Sequence, residues 1–118
     1  MKPTDAELEI LHVIWANGPS TVRQVHDRLS QHRDIGYTTA LKLMQIMHEK
    51  GLLTRDAENK SHLYIAAVSE EATQRGLVDR FIDTAFRGSS SKLVMQVLGQ
   101  HKASRDELDE IKRLLDSL

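Results

Sequence analysis

Cysteine is absent from this 118-residue sequence. Its absence excludes a disulfide framework, a thiolate metal site and a cysteine nucleophile. Residues 1–9 are polar and charged and do not resemble a signal peptide. A chain without cysteine also suits a reducing compartment, so we expect a cytoplasmic protein.

Aromatic residues and long apolar runs are scarce as well. The chain has two Phe, two Tyr and one Trp, so its core must consist mainly of Leu, Ile, Val, Met and Ala. No apolar run approaches the ~20 residues that span a bilayer, and we expect no membrane insertion. Forty per cent of the residues are apolar and 28% are charged, as is typical of a folded globular domain rather than a disordered chain.

A strong charge of one sign is also missing, since the formal net charge is −1. Residues 20–62 have a mild positive bias, with seven Lys or Arg against five Asp or Glu. Charge alone therefore leaves nucleic-acid binding open.

Motifs for catalysis are not found. The six histidines are scattered, without an H-E-x-x-H pattern, and there is no G-x-S-x-G and no phosphate-binding glycine loop. The acidic pairs Glu70-Glu71 and Asp109-Glu110 are typical of solvated helix faces. We expect no enzyme, and no catalytic residue, metal site or cofactor.

Three helices are predicted in the N-terminal half. Thr4 and Glu7 form a capping box at the start of the first helix. Ser20 is the predicted cap of the second helix. The third runs from about Tyr37 to Lys50, and Gly51 follows as its C′ residue.

A hairpin is predicted after the third helix. Leu52–Arg55 and Ser61–Ala66 have the composition of strands, separated by a polar turn. The order helix, helix, helix, hairpin defines a winged helix-turn-helix. The fold class is therefore mainly α with a small β-hairpin wing, with a DNA-binding domain over residues 1–68 and a helical dimerisation domain over residues 69–118.

The second half is predicted to be helical. A long helix starts at Ser69, the run from Gly88 to Ser91 breaks it, and Ser104 with Glu107 forms a further capping box. Its apolar positions would leave a large exposed patch on a monomer, which favours a homodimer. The alternative is that this segment folds back as ordinary core. The candidate dimerisation residues are Leu77, Val78, Phe81, Ile82, Phe86, Val94, Leu98, Leu108, Ile111 and Leu115.

The polar face of the third helix is the candidate DNA-reading surface. Lys42 has the chemistry to contact guanine or a phosphate, and Gln45 to pair with adenine. Thr38 and Thr39 lie in the first turn, and Ile46 flanks the face, where it can meet a thymine methyl group. Further candidates for DNA contact are Arg23 on the second helix and Arg55, Lys60 and Ser61 in the wing.

Two segments of the chain resemble a known family. They are Thr4-Asp5-Ala6-Glu7-Leu8-Glu9-Ile10-Leu11, followed four residues on by Trp15, and the segment from Gly36-Tyr37-Thr38-Thr39 to Glu49-Lys50-Gly51-Leu52-Leu53. Both resemble the penicillinase-repressor (BlaI/MecI/CopY) family, and the helical tail matches it in pattern. The resemblance implies a homodimeric winged-helix repressor on a palindromic operator, often with TACA/TGTA half-sites, whose third helix enters the major groove.

The resemblance also implies a release signal. In one branch a membrane sensor-protease detects β-lactam and the repressor is cut between Asn and Phe in the tail, where this chain has Gln96 and Val97. Another branch senses copper through cysteines that this chain lacks. The family often has Arg where this chain has Ile46, so its operator preference is expected to differ.

Two alternatives to a repressor of this kind remain open at this stage. One is a winged-helix protein-interaction module without specific DNA binding, which the near-zero net charge allows. The other is a ligand-sensing regulator with a small pocket near Gly88 to Leu98, although no residue there indicates a ligand. Salt-dependent binding to duplex DNA distinguishes the first alternative from a repressor.

Overall fold

The computed structural model of the protein describes residues 2–56, 62–100 and 104–117. The chain forms two compact units, residues 1–77 and 78–118, and the boundary lies inside a helix. The elements in the described residues are α1 (Asp5–Asn17), α2 (Val22–Leu29), α3 (Tyr37–Glu49), β1 (Leu53–Asp56), β2 (Leu63–Ala66), α4 (Glu70–Ala85), α5 (Ser90–Gln100) and α6 (Arg105–Asp116). The predicted winged helix-turn-helix is confirmed.

The capping box at the start of α1 forms as predicted. The Glu7 N–H donates to Thr4 Oγ1 at 3.2 Å, and the Thr4 N–H donates to Glu7 Oε1 at 2.9 Å. Helical spacing then places Ile10, Leu11 and Ile14 on one face, where all three are buried. The cap therefore fixes where α1 begins, and the apolar repeat that follows forms the face that enters the core.

The predicted cap of α2 was wrong by one residue. Thr21 is the N-cap, and it forms a capping box with Gln24. Ser20 instead pairs with Tyr64 in an isolated antiparallel bridge, and its hydroxyl donates to the Gly18 carbonyl at 2.8 Å. Because the backbone of Ser20 is held in this bridge, the hydroxyl of the next residue, Thr21, caps the helix.

The third helix has the expected orientation on the core. Ala40, Met44 and Met47 are buried, and the helix ends at Glu49, with Lys50 as its C-cap. Gly51 then has a φ of +84°, a left-handed conformation that favours glycine.

The two strands of the wing pair antiparallel, with Leu53 opposite Ala66 and Asp56 opposite Leu63. The first strand begins and ends one residue later than the predicted Leu52–Arg55, because Leu52 directly follows the left-handed turn at Gly51. The second begins at Leu63 and not at the predicted Ser61, which lies outside the described residues.

A buried ion pair joins the start of α1 to the end of α3. Lys50 Nζ lies 2.8 and 2.9 Å from the two carboxylate oxygens of Glu7, which is 2% exposed. Burial alone would raise the pKa of Glu7, but the hydrogen bonds from Lys50 and Thr4 and the charge of Lys50 outweigh it and hold the pKa below its ordinary value. The ion pair helps to hold α3 against the core, so the face of α3 opposite its buried side chains points to solvent.

The second half contains the predicted helices. Ser69 caps α4, since its Oγ accepts from the Ala72 N–H at 3.1 Å, and Ser104 forms its capping box with Glu107. The turn between α4 and α5 contains Arg87 and Gly88, both with positive φ. Among the residues described in α4, α5 and α6 none is buried, and Phe81, Val94, Leu114 and Leu115 are each at least half exposed.

Candidate nucleic-acid interface

The outer face of α3 is exposed along its whole length. Thr38, Thr39, Lys42, Gln45 and Ile46 are all exposed, as the helical periodicity predicts. The orientation of this face follows from the opposite side of α3, where three buried side chains prevent the helix from rotating about its axis. These five predicted site residues therefore share one solvent-facing surface of unit 1.

The start of α3 lacks a side-chain cap. Gly36 is the N-cap residue, and no side chain accepts from the N–H groups of the first turn. Each of the other five described helices begins with a Ser or Thr oxygen that accepts such a bond. Unpaired N–H groups and the positive end of the helix dipole at Thr38 and Thr39 suit a negatively charged ligand.

A cleft of about 380 Å³ lies beside α3 and connects it to α2 and to the wing. It brings together three of the predicted site residues, Arg23, Gln45 and Arg55, which come from three different elements. The remaining lining residues are Thr21, Val22, Tyr37, Leu41, His62 and Tyr64.

The side chain of Arg23 is held over an aromatic ring. Its guanidinium carbon lies 4.6 Å from the centre of the Tyr37 ring, a cation–π geometry. The same ring forms a T-shaped pair with the ring of His26, with 5.9 Å between ring centres, and His26 Nε2 donates to the Ile35 carbonyl at 2.9 Å. The contacts order Arg23 at the start of α3, although fourteen residues separate it from Tyr37 in sequence.

Some cations of unit 1 pair with a carboxylate and others do not. Lys50 and Arg33 pair with Glu7 and Glu9, at 2.8 and 3.4 Å. Arg23, Lys42 and Arg55, in contrast, have no carboxylate within ion-pair distance among residues 2–56, 62–100 and 104–117. The α3 face and the cleft beside it therefore carry three cations without a carboxylate partner among the described residues.

Sequence reasoning and structure agree on part of this surface. Lys60 and Ser61, predicted to contact DNA from the wing, lie outside the described residues. Three residues that line the cleft, Thr21, Tyr37 and His62, are not among the predicted DNA-contacting residues. No local pattern marks them, because each joins the cleft through packing between distant segments.

Two features that would indicate other chemistry are absent from the described residues. The described residues contain no cluster of three or more His, Asp or Glu residues that could hold a metal ion. No helix in the described ranges has both the length and the apolar character to cross a membrane.

The three-helix core, the hairpin wing and the exposed α3 face beside the cleft of Arg23 and Arg55 define a winged-helix DNA-binding protein. The profile of the penicillinase repressor family matches residues 3–117. The chain belongs to the penicillinase repressor family, so the resemblance noted in the sequence is confirmed. That family consists of transcriptional regulators and not of enzymes.

Individual relatives match over nearly the whole chain. The transcriptional regulator BlaI of Mycobacterium tuberculosis is 29% identical over 116 residues, 97% of this chain and 83% of its own. The methicillin resistance regulatory protein MecI of Mammaliicoccus sciuri is 24% identical over 113 residues, 96% of this chain and 92% of its own. The penicillinase repressor of Bacillus licheniformis is 23% identical over the same share of this chain and 88% of its own.

A solved structure resembles part of the chain. It is the solution structure of Bacillus licheniformis BlaI, in its monomeric form, in complex with the blaP half-operator. The match has a TM-score of 0.53 and 25% identity, and it covers 60% of this chain and 87% of that one.

Proposed function

We propose that the protein is a transcriptional repressor that binds a palindromic DNA operator as a homodimer, with one α3 at each half-site. One observation carries the proposal: the exposed α3 face lies beside a cleft whose two arginines have no carboxylate partner among residues 2–56, 62–100 and 104–117. The complex of BlaI with a half-operator supports DNA as the partner. The protein would act in the cytoplasm, where a bacterial operator is found.

Base recognition would come from the middle of α3. Lys42 is the candidate for guanine O6 and N7, and Gln45, one turn on, for adenine N6 and N7. Ile46, 37% exposed, is the candidate for contact with a thymine methyl group. Thr38 and Thr39 would contact a phosphate near the uncapped N–H groups of the first turn.

Phosphate contacts would come from the two sides of the cleft. Arg23 on α2 and Arg55 on β1 are exposed, and Arg23 is already ordered by Tyr37. His62 lines the same cleft, and Lys60 and Ser61 would extend the contact along the wing. Such contacts position the protein without specifying sequence.

Salt dependence tests this arrangement. Arg23, Arg55 and Lys60 would give three phosphate contacts in each protomer and six in a dimer, for a slope of about −5.4 in a plot of log affinity against log salt. The affinity for a selected operator duplex should therefore fall about a thousandfold between about 50 and 200 mM salt. Binding to duplex DNA that ignores salt would favour the protein-interaction module instead.

Dimerisation is assigned to the tail. Apolar side chains of the tail are exposed in a number that a monomer usually avoids in so short a segment. Five of them are between 37% and 51% exposed: Val78, Phe81, Val94, Leu98 and Ile111. A second copy would cover them. The other members of the proposed dimer surface are Leu77, Ile82, Phe86, Leu108 and Leu115.

A pair of variants in α6 tests the dimer. Leu108, Ile111 and Leu115 recur at helical spacing, so Ile111→Glu places a charge in the middle of the apolar stripe. The dimer dissociation constant, measured by sedimentation equilibrium, should rise at least about a hundredfold, because one apolar side chain is lost from each copy. Glu110→Ala, on the neighbouring position, should change it by less than about threefold. Equal effects of both variants would contradict this surface.

The proposed upstream partner is a membrane sensor-protease, as the family resemblance implies. Gln96 and Val97 are exposed within α5, but they replace the Asn and Phe that the cleaved branch carries. Mass spectrometry of the protein from cells exposed to a β-lactam decides the matter. A fragment that ends at Gln96 supports the partner, and a chain that stays intact while repression is lifted excludes it.

A further inference from the structure

The link between the wing and α4 is short and held at every residue. Only residues 67–69 separate β2 from α4. The Ala67 N–H donates to the Leu52 carbonyl at 2.9 Å, and Trp15 Nε1 donates to the Val68 carbonyl at 2.9 Å. Ser69 is the cap of α4. The start of α4 is therefore connected to the core of unit 1 by hydrogen bonds rather than by a free linker.

The hydrogen bond of Trp15 is the contact of this link that joins the residues most distant in sequence. It lies on α1, 53 positions before Val68, and both side chains pack against the buried core. The His12 ring meets the indole edge-on, with 5.5 Å between ring centres, and His12 Nδ1 lies 3.7 Å from Glu70 Oε2. Both ion-pair side chains are about half exposed, so this pair adds little, and the indole N–H is the stronger restraint.

We propose that Trp15 fixes the direction in which α4 leaves the winged helix, and thereby sets the spacing between half-sites that the dimer accepts. This inference rests on the proposed function, since it requires two copies on paired half-sites. Half-sites one turn apart are separated by about 34–36 Å, and each inserted base pair also rotates one half-site by about 35°. A dimer with a fixed exit for α4 rejects such a change, whereas a loose exit tolerates it. Trp15 is thus a positioning residue that does not itself contact DNA.

The test compares the full-length protein with its Trp15→Phe variant. Phenylalanine keeps an aromatic ring at the position but removes the N–H donor to Val68. Each protein is titrated with three duplexes: a single half-site, the operator recovered by selection, and the same operator lengthened by about two base pairs, a rotation of about 70°.

The ratio of the affinities for the two operators is the decisive readout. In Trp15→Phe it should fall about fivefold to tenfold, the equivalent of one net hydrogen bond, while affinity for the single half-site stays within about twofold. Asn17→Ala is the matched control, because Asn17 makes two side-chain hydrogen bonds in the same region without touching Val68. Its operator ratio should equal that of the unaltered protein.

Two outcomes overturn the inference alone. One is an unchanged operator ratio in Trp15→Phe, and the other is an equal loss of affinity for all three duplexes, which marks a merely structural role. If the unaltered protein binds single and paired half-sites alike, the proposed function fails as well. A measurement without any variant guards against misfolding: Trp15 is the sole tryptophan, so one indole N–H resonance reports the bond. Its hydrogen exchange should be slower on the selected operator than on the lengthened one, and equal rates overturn the inference.

Discussion

Ser20 and Tyr64 exchange two backbone hydrogen bonds. The Ser20 N–H donates to the Tyr64 carbonyl at 3.0 Å, and the Tyr64 N–H donates to the Ser20 carbonyl at 2.8 Å. Tyr64 is 2% exposed, so the bridge closes over a buried side chain. The connection between α1 and α2 thus pairs with strand β2 of the wing through this one residue.

Loss of this bridge should destabilise the wing. Ser20→Pro removes the N–H donor, and we expect the free energy of unfolding in urea to fall by about 2–3 kcal/mol. Ser20→Ala keeps both backbone bonds and loses only the hydroxyl bond to Gly18, so a decrease of about 1 kcal/mol is expected. A smaller effect of proline than of alanine would show that the bridge contributes nothing.

Lys42 and Arg55 should respond differently to removal. Lys42→Ala is expected to weaken operator binding by about 1–3 kcal/mol and to relax base preference at one position of the half-site. Arg55→Ala should weaken all sequences alike and reduce the salt slope by about one for each protomer. Titrations with single-base variants of the operator, at several salt concentrations, measure both effects. An unchanged base preference in Lys42→Ala would remove this residue from the reading surface.

Glu7 makes stability depend on pH. Its pKa is lowered in the folded protein, so its ionised form stabilises the fold fully above the unfolded-state pKa of about 4.3, and this contribution is lost as the pH falls through the folded-state value. Glu7→Gln should therefore lower the free energy of unfolding by about 1–3 kcal/mol at pH 7, and by less at about pH 3. Denaturant melts at one protein concentration and both pH values give the difference.

Glu9→Gln is the control for this prediction, since Glu9 pairs with Arg33 at 3.4 Å but both side chains are almost half exposed. A change below about 0.5 kcal/mol at either pH is expected. A difference between Glu7→Gln and the unaltered protein that stays constant with pH would mean that the Glu7 charge is not the stabilising feature.

The same chemical change should have opposite effects at two glycines. An added methyl group meets no atom within 4 Å at Gly51 or at Gly76, so only backbone preference differs. Gly51→Ala forces alanine to a φ of +84° and should destabilise the protein by about 1 kcal/mol. Gly76→Ala, inside α4, should stabilise it by about 0.5–1 kcal/mol. Thermal melts of the two variants should shift in opposite directions, and shifts of one sign would contradict the backbone argument.

Local chemistry explains what the sequence predicts well. The capping boxes of Thr4 with Glu7 and of Ser104 with Glu107 involve residues three apart, and the outward face of α3 follows from a regular apolar repeat. Ser20 was misassigned because its conformation depends on a strand more than forty residues away. The placement of Arg23 over Tyr37 likewise depends on how α2 packs on α3, which periodicity does not determine.

The second half of the chain illustrates a different limit. Its helices were predicted from caps and breaks, yet the pattern of Phe81, Val94 and Ile111 states only that an apolar cover is needed. Whether that cover is the chain itself or a second copy is a matter of assembly, which a single sequence does not encode locally. The dimer therefore remains a prediction, as do the individual roles of Lys42, Gln45 and the wing residues.

With Gly36 as its N-cap, α3 is the one helix of the described residues that begins without a side-chain cap. A serine or aspartate at position 36 would supply the missing hydrogen-bond acceptor and would stabilise the protein in the absence of DNA. In the proposed complex with DNA, the same acceptor would compete with a phosphate for the N–H groups of the first turn, and an aspartate would also repel the phosphate. If α3 binds DNA as proposed, thermal stability and affinity for an operator make opposite demands on position 36, and glycine meets the demand of the operator.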